Sequence, residues 1–371
     1  MALAIDLSYQ QIASNQAQQV ADTTAHSAYV MFRHSRATDG AAAESAASDM
    51  IALHKVGDGP ATLDTVEIGS WDFDENTFSA SEGWNNAVKV ELSRAGDNPL
   101  NLFIAPVVGI ESPDIYQEAV VARQNREWMV VQDITGSFSD DIDAARDASL
   151  NLLAVMLESK TPYDKVGMSV FTGGVDPVPW SPLVPVLGNE VDLLSQWASL
   201  DSCNCTDSAF EEADCAETFD SESEGYEEGE CAEWFCEEYY GGYDTQPWMP
   251  DCFELGAQSS PGPAILQATE ELIFSGDPRS YRGVLVVTDG LPCCGMETIE
   301  RAAEAFASVD YAAANGLHVW TAAYSEAGEG DPVLLGELVR GKGSSFVATD
   351  GLALAEAMVH IVDSVPVMVV K

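Results

Sequence analysis

The spacing of apolar residues changes near residue 126, and this change separates two patterns along the 371-residue chain. Between residues 2 and 36, apolar and small residues recur on one side of a single long helix, and a second, alanine-rich helix is predicted over 41–53. Between 64 and 121, the stretches TVEIGSWDF, AVKVELSR and LFIAPVVG alternate or run apolar, with many β-branched and aromatic residues, which is typical of strands. Residues 1–125 therefore predict a small α+β domain in which a long helix is followed by an antiparallel sheet.

Beyond residue 126, apolar strands alternate with amphipathic helices. WMVVQD, DKVGMSVF, RGVLVVTDG and LHVWTAAYS are nearly continuous apolar runs, as in strands that are buried on both faces. Repeated strand–helix units predict an α/β fold with a doubly wound parallel sheet over 126–365, in which ligands bind at the carboxyl ends of the strands. The final SVPVMVVK is strand-like again. We hypothesise that residues 366–371 return to the small sheet, so that 126–365 is inserted within the first domain.

Residues 199–258 interrupt this alternation as an acidic insertion. They contain no Lys or Arg, and they bury too little apolar surface to fold unaided. An even number of cysteines near this segment, with no His among them, favours a disulfide framework and an oxidising compartment over a zinc site. The insertion's carboxylates could also bind Ca²⁺, although it contains no EF-hand loop. The eight cysteines are Cys203, Cys205, Cys215, Cys231, Cys236, Cys252, Cys293 and Cys294.

The charge of the chain excludes some classes of partner. With 16 Lys+Arg against 61 Asp+Glu, the net charge is -45, which repels nucleic acid and anionic lipid and attracts cations. The sequence has no run of 18 apolar residues that would predict a membrane span. Its N-terminus, MALAIDLSYQQ, lacks the basic region and long apolar core of an export signal. Because disulfides imply export, we expect an upstream segment that this sequence does not include.

Oxygen-bearing side chains occur at three places on the predicted carboxyl edge of the second sheet. The positions, along the chain, are Asp133, Thr135, Ser137, Ser259 or Ser260, and Asp289. The first three alternate in an extended turn directly after a strand, so their side chains can converge on one point. Carboxylate and hydroxyl oxygens suit a hard cation such as Mg²⁺. Such a turn is also a common helix N-cap, and this remains the alternative for the first loop taken alone.

The Asp-x-Thr-Gly-Ser turn, the distal Thr-Asp-Gly and the strand–helix alternation resemble a von Willebrand factor A domain with a metal-ion-dependent adhesion site. The resemblance implies that Asp133, Thr135 and Ser137 form the first metal loop. It places Ser259, with Ser260 as the alternative, in the second loop and Asp289 in the third. It further implies a bound Mg²⁺, or Mn²⁺ or Ca²⁺, with one coordination position left for a carboxylate of a protein or surface ligand. Because the sequence shows no positioned nucleophile or acid–base pair, we expect a binding protein and not an enzyme.

The stretch LAIDLSYQQIASNQAQQVADTTAHSA resembles the N-terminal helix of TadG-like and TadE-like proteins of the tight-adherence (Tad) pilus system. The spacing of the characteristic residues of that helix is comparable here, at Asp6, Gln18, Ala21 and Asp22. The sequence around LFIAPVVG also resembles this family. The resemblance covers about residues 2–125. It implies a pilin-like domain that contacts other pilus subunits through its helix, with a membrane helix directly upstream, which is absent here.

Together, the two resemblances imply an extracellular minor pilin or adhesin of the pilus or cell surface. Its acidic insertion would be tied over the metal face by Cys293 or Cys294, unless these two cysteines bridge each other. One alternative is an intracellular A-type scaffold subunit of a metal-inserting or ATP-driven complex. Another is a structural pilus component without an active metal site.

Overall fold

The chain divides into two compact units. The first unit comprises Met1–Gln124 and Val365–Lys371, together with Ser159–Thr161, and the second unit comprises Asn125–Glu158 and Pro162–Ser364. The polypeptide returns to the first unit with its last residues. The computed structural model describes residues 2–35, 40–80, 85–110, 112–134, 142–158, 161–171, 177–200, 261–288, 297–324, 332–339 and 343–371.

The first unit combines helices with an antiparallel sheet. Its described elements are α1 (Ala2–Ser35), α2 (Ala41–Ala52), a 3-10 helix (Ala105–Val108), and the strands β1 (Thr62–Asp72), β2 (Thr77–Ser79), β3 (Ala87–Arg94), β4 (Ile115–Arg123) and β11 (Val367–Val369). The strand order is β11-β4-β3-β1-β2, and neighbouring strands pair antiparallel. β11 pairs with β4 through Val367↔Arg123 and Val369↔Val121, so the C-terminal strand is part of the smaller sheet.

One face of this sheet packs against the helices. Alternate residues of β3, Val88, Val90 and Leu92, are fully buried in one cluster with small residues of α1, whereas Lys89 and Glu91 between them are only partly buried. The α1 residues in that cluster are mostly small: Ala13, Ala17, Val20, Ala21, Ala25, Ala28 and Tyr29. Alanine carries little side-chain bulk, so the long helix can lie close to the sheet along most of its length.

The stretch LFIAPVVG, predicted as a strand, is instead irregular chain followed by the 3-10 helix. The carboxylate of Asp6 accepts hydrogen bonds from the N–H groups of Phe103, Ile104 and Ala105, at 2.9, 2.9 and 2.6 Å. Pro106 has no N–H to offer. A strand ladder needs such donors, so their capture by α1 takes this apolar stretch out of the sheet.

The second unit is built around a mostly parallel sheet. Its described strands are β5 (Arg126–Asp133), β6 (Lys165–Phe171), β7 (Val178–Pro185), β8 (Tyr281–Thr288), β9 (His318–Tyr324) and β10 (Ser345–Ala348). Its described helices are α3 (Ile142–Glu158), α4 (Glu190–Ala198), α5 (Pro261–Phe274), α6 (Glu297–Ala314), α7 (Pro332–Leu338) and α8 (Gly351–Asp363). The strand order is β10-β9-β8-β5-β6-β7. The pairings are parallel except that of β6 with β7, which confirms the prediction of a mixed α/β protein with a mostly parallel sheet.

Both faces of the central strand β5 are covered. Met129 and Val131 pack with Ala264 and Ala268 of α5, and the alternate residue Val130 is also fully buried. Among the helices, α5 packs against α6, and α3 packs against α8 and α4. All eight residues of β5 are buried, both the apolar run at its centre and the polar residues at its two ends.

The strand β7 is not predicted by the apolar pattern, because its sequence VPWSPLVP contains three prolines. A proline removes a hydrogen-bond donor from a strand ladder, so strands with proline lie at the edges of sheets. β7 does lie at an edge, where it pairs with β6 alone and with register irregularities.

Candidate metal centre

Asp133 is the last residue of β5 and lies at the carboxyl edge of the parallel sheet. It is fully buried. On one side its register partner is Phe171 of β6, and on the other side Gln132 pairs with Val287 of β8. A central strand that is buried along its whole length therefore fixes the position of this carboxylate.

The hydroxyl of Thr288 fixes the orientation of the same carboxylate. Thr288 is the last residue of β8, and its Oγ1 donates a hydrogen bond to Oδ2 of Asp133 over 2.5 Å. Thr288 directly precedes Asp289 in the sequence. The bond thus joins the strand ends from which the first and third predicted metal loops begin. Thr288 is the Thr of the Thr-Asp-Gly motif noted in the sequence, but the sequence analysis gives it no role of its own.

The backbone on either side of the carboxylate is also held. The N–H of Ile134 donates to the carbonyl oxygen of Phe171 over 3.1 Å. The side-chain amide of Gln132 donates to the carbonyl oxygen of Asp133 over 2.8 Å, and Gln132 is itself fully buried. These hydrogen bonds hold the backbone in place up to Ile134, directly before the rest of the first predicted metal loop.

The other residues predicted for the site lie outside the described residues. They are Thr135, Ser137, Ser259, Ser260 and Asp289, together with all of the cysteines, Cys203, Cys205, Cys215, Cys231, Cys236, Cys252, Cys293 and Cys294. The acidic insertion over 199–258 is described only at its first two residues. The predictions on these positions stay predictions.

The described part of the site fits a hard divalent cation. Carboxylate and hydroxyl oxygens are the ligand types that Mg²⁺ and Ca²⁺ prefer, and an ionised carboxylate is costly to bury unless charge or hydrogen bonds offset the cost. Within the described ranges, no three His, Cys, Asp or Glu side chains are grouped so that they could hold a metal ion. A complete site therefore needs oxygen atoms from the loops that follow β5 and β8.

The opposite edge of the sheet carries a separate charged cluster. Arg126 donates to the buried carboxylate of Asp164 through its backbone N–H, Nε and Nη2, at 2.8, 3.0 and 2.7 Å. Both oxygens of Glu127 accept the N–H of Asp277 at 2.9 Å, and Oε1 lies 3.2 Å from Nζ of Lys165. Burial raises the pKa of Glu127, against the opposite effects of these two partners. The contacts hold loops at the amino ends of the strands, away from the predicted metal edge.

Two histidines of this unit make ring contacts. His318 stacks on Tyr281 with ring centroids 4.4 Å apart, and His360 meets Phe346 edge-on at 5.7 Å. Burial raises the pKa of Tyr281. Both histidines therefore pack against aromatic rings of this unit.

Comparison with known families gives one match, over the first unit. Residues 13–120 match a family described as "Putative Tad-like Flp pilus-assembly", which covers less than a third of the chain. No curated protein matches the chain. The resemblance of the N-terminal sequence to Tad proteins is confirmed at this level, and the more specific TadG-like assignment stays a prediction.

The chain is also similar to several solved structures, at low identity. Proximal thread matrix protein 1 from the mussel byssus is 13% identical over 65% of this chain, with a TM-score of 0.41, and the chain spans about half of that protein, 48%. BatB from Bacteroides thetaiotaomicron is 16% identical over 64% of this chain and 98% of its own, with a TM-score of 0.40. The PilB minor pilin from Streptococcus sanguinis is 11% identical over 81% and 87%, with a TM-score of 0.43. At these identities and scores, no functional residue transfers from these proteins.

The family match concerns the first unit alone. None of the helices in the described part of the chain combines the length and the apolar character needed to span a bilayer. The match lies entirely within the first unit, which holds the long helix and the antiparallel sheet. It supports a pilus-associated role for the chain.

Proposed function

We propose that this protein is a TadG-like, pilus-associated adhesin or minor pilin, exposed at the cell surface or on a pilus. The first unit would be its pilin-like part and would contact other pilus subunits through α1. The second unit would be a doubly wound A-type domain that binds a protein or surface ligand through a divalent cation. The family match over residues 13–120 supports the pilus association. The bond between Asp133 and Thr288 carries the second part of the proposal.

That bond matters because it brings two sequence-distant positions together at one sheet edge. The apolar strands β5 and β8 are neighbours, and each ends in an oxygen-bearing side chain that contacts the other. Of the proposed metal ligands, Asp133 ends β5 and Asp289 directly follows β8. Thr135 and Ser137 come shortly after β5, and Ser259 precedes α5. If β5 and β8 were far apart in the sheet, Asp133 and Asp289 could not share one ion.

The proposed cation is Mg²⁺, with Mn²⁺ or Ca²⁺ as substitutes. The residues that would hold it are Asp133, Thr135, Ser137, Ser259 and Asp289. When bound, the ion would supply a Lewis-acidic position for a carboxylate of the ligand. Thr288 would act as a positioning residue, because its hydroxyl orients the Asp133 carboxylate. Disulfides would hold the insertion over 199–258, whose carboxylates could bind further Ca²⁺.

Calorimetric titration of the metal-stripped full chain with MgCl₂ or MnCl₂ tests the metal site. We expect one high-affinity site in the wild type, and a rise in the thermal midpoint on metal addition, because a cation that binds the native state stabilises it by mass action. Asp133→Ala should abolish both effects. Asp192→Ala removes an exposed carboxylate of α4 and is the matched control for non-specific cation binding by a chain of net charge -45.

A second variant tests the positioning role of Thr288. Thr288→Val keeps the β-branched shape and removes the hydroxyl donor, so the affinity for Mn²⁺ should fall by about tenfold to 100-fold, as for other outer-shell partners of metal ligands. If Asp133→Ala binds Mn²⁺ as tightly as Asp192→Ala, the metal-dependent part of the proposal is wrong. A purely structural pilus component would then be favoured.

A further inference from the structure

The helix α4 of the second unit has an exposed apolar surface that we call its outer face. It consists of Val191, Leu194 and Ala198, which are spaced so that they lie on one side of the helix. Val191 is 78% exposed and Leu194 is 39% exposed. Single exposed apolar residues are ordinary on protein surfaces, but a group of neighbouring ones marks an interaction site.

The outer face is distinct from the side of α4 that packs on the protein. Leu193 and Trp197 form that packed side and are buried. Successive helical residues are rotated by about 100°, so the outer face points in a different direction from these two side chains. A surface helix normally carries polar residues where it meets water. The packing of α4 on its own unit therefore does not account for the apolar outer face.

Hydrogen bonds to β7 prevent α4 from rotating to bury its outer face. The indole N–H of Trp180 donates to the carbonyl oxygen of Gln196 over 3.0 Å, and the side-chain amide of Gln196 donates to the carbonyl oxygen of Trp180. The indole N–H of Trp197 donates to Oγ of Ser181 over 3.0 Å. These bonds fix the rotation of the helix about its axis, so another part of a protein has to cover the outer face.

The acidic insertion leaves the described structure beside this face. Leu200, two residues after the end of α4, is fully buried, and its carbonyl oxygen accepts a hydrogen bond from Nη1 of Arg146 over 3.1 Å. Residues 201–260 follow directly and lie outside the described residues. The point at which they leave the unit is thus held next to Ala198, at one end of the outer face.

One segment of the insertion has the composition that suits such a face. Residues 233–243 read EWFCEEYYGGY, and five of the eleven are aromatic. The insertion as a whole is too acidic and too poor in apolar residues to bury these rings within itself. An apolar surface on a folded neighbour offers the contact area that the insertion lacks, because burial of aromatic side chains stabilises strongly.

The length of the chain between Leu200 and residue 233 allows this contact. As a random coil, a tether of this length spans about 30 Å, whereas the outer face from Val191 to Ala198 is about 10 Å long. A tethered segment also acts at an effective concentration of about millimolar. A free partner has to compete with that concentration. A second copy of this chain is a poorer occupant still, because two molecules of net charge -45 repel each other.

We infer that the aromatic segment 233–243 docks on the outer face of α4. The contact provides the insertion with an apolar partner and holds it beside the β7 edge of the second unit. The inference does not rest on the metal site or on the pilus association, and it stands or falls separately from both.

Photo-crosslinking of the full chain tests which segment covers α4. With p-benzoylphenylalanine in place of Val191, irradiation should link position 191 to a peptide from 233–243 of the same molecule, as identified by mass spectrometry. The same probe in place of Leu352, which is 71% exposed in α8, is the matched control and should not link to that peptide. A link to any other segment, a link between two copies, or no link at all overturns the inference.

A pair of double variants tests whether the outer face protects the segment. Val191→Ser with Leu194→Ser removes apolar contact without adding charge, so chymotrypsin under non-reducing conditions should cut within 233–243 about tenfold faster than in the wild type. Phe274→Ser with Leu352→Ser, at side chains that are 82% and 71% exposed, is the control and should leave the rate unchanged.

Circular-dichroism melts establish that both double variants fold like the wild type, as expected for exposed side chains. Equal cleavage rates in the two double variants contradict the inference. Mn²⁺ binding is measured on the same proteins. It should be the same in both, because neither variant changes a proposed metal ligand, so failure of the docking inference is distinguishable from failure of the metal site.

Discussion

The first and second units each bury an arginine and a carboxylate, but they satisfy them with different partners. In the first unit, most of the partners are backbone groups, although Nη2 of Arg94 also pairs with Oδ1 of the partly exposed Asp58 over 3.1 Å. Arg94 is 2% exposed and donates to the carbonyl oxygens of Val56, Asn98 and Pro99, at 2.6, 3.0 and 2.8 Å. The carboxylate of Asp6 accepts three backbone N–H groups. Each side chain therefore fixes the path of a loop that has no regular structure of its own.

In the second unit, the arginine and the carboxylate pair with side chains that are themselves buried. Arg126 forms an ion pair with Asp164, and both are nearly inaccessible, at 2% and 0% side-chain exposure. Asp133 accepts the hydroxyl of Thr288. These pairs lie at opposite ends of parallel strands, where strands distant in the sequence meet. The first unit thus relies mainly on backbone partners, whereas the second unit pairs buried side chains from distant parts of the sequence.

The largest expected effect is the loss of the buried ion pair. Asp164→Ala removes the carboxylate that accepts three hydrogen bonds from Arg126 and leaves a buried charge behind, so the free energy of unfolding of the second unit should fall by about 3–5 kcal/mol. Denaturant unfolding measures the loss, and hydrogen exchange at β5 and β6 amides shows that it belongs to the second unit. Replacing both partners, as Arg126→Met with Asp164→Leu, should recover most of the stability. A double variant as unstable as Asp164→Ala would contradict this account.

The counterpart in the first unit should be a smaller effect. Arg94→Met keeps the length of the side chain but leaves the carbonyl oxygens of three residues without this donor, at a cost of about 1–3 kcal/mol. The cost is lower than for Asp164→Ala because Asp58, the carboxylate that loses its partner, is 40% exposed. In Asp164→Ala, the guanidinium of Arg126 stays buried, with the partly exposed Asp363 at 3.7 Å. Exchange should increase at β3 amides and stay unchanged at β5. If Arg94→Met and Asp164→Ala lower the free energy of unfolding by the same amount, the two units do not differ in the cost of removing a partner of a buried charge.

The sequence predicts elements well where the backbone bonds only to its own helix or to a neighbouring strand. The continuous apolar run of β5, the alternating run of β3 and the long α1 all lie close to their predicted positions. Gly316 follows α6 with a φ of 77°, a left-handed conformation that suits glycine at the end of a helix. In these cases, the local pattern and the tertiary environment favour the same structure.

The predictions fail where a distant side chain decides the local structure. LFIAPVVG has the composition of a strand, but Asp6, roughly a hundred residues earlier in the sequence, takes its N–H groups. Thr288 contacts Asp133 only because β8 lies beside β5, which no local pattern states. The metal residues beyond Asp133 follow from motif resemblance, and they stay predictions.

The pH dependence of Asp6→Asn should be the next largest effect. The pKa of Asp6 in the folded state lies below its ordinary value of 3.8. The stabilisation that the ionised Asp6 carboxylate provides is therefore complete above pH 3.8. It is lost as the pH falls through the lowered folded-state pKa. The thermal midpoint of Asp6→Asn should lie below that of the wild type at pH 7, and the difference between the two midpoints should narrow as the pH falls below 3.8. A gap that is constant with pH would mean that the carboxylate charge does not matter for these hydrogen bonds.

The smallest expected effect is at Glu127, and its sign is opposite to that at Asp6. Burial raises the pKa of Glu127 above its ordinary value of 4.5, so ionisation of this carboxylate destabilises the folded state. The wild type should lose stability relative to Glu127→Gln as the pH rises from about 4 to 7, and the glutamine can still accept the N–H of Asp277. Paired denaturant curves at several pH values measure this difference. If the wild type instead gains stability relative to Glu127→Gln as the pH rises, the ion pair with Lys165 outweighs the cost of burying the Glu127 carboxylate. The charge of Glu127 would then stabilise the amino ends of these strands.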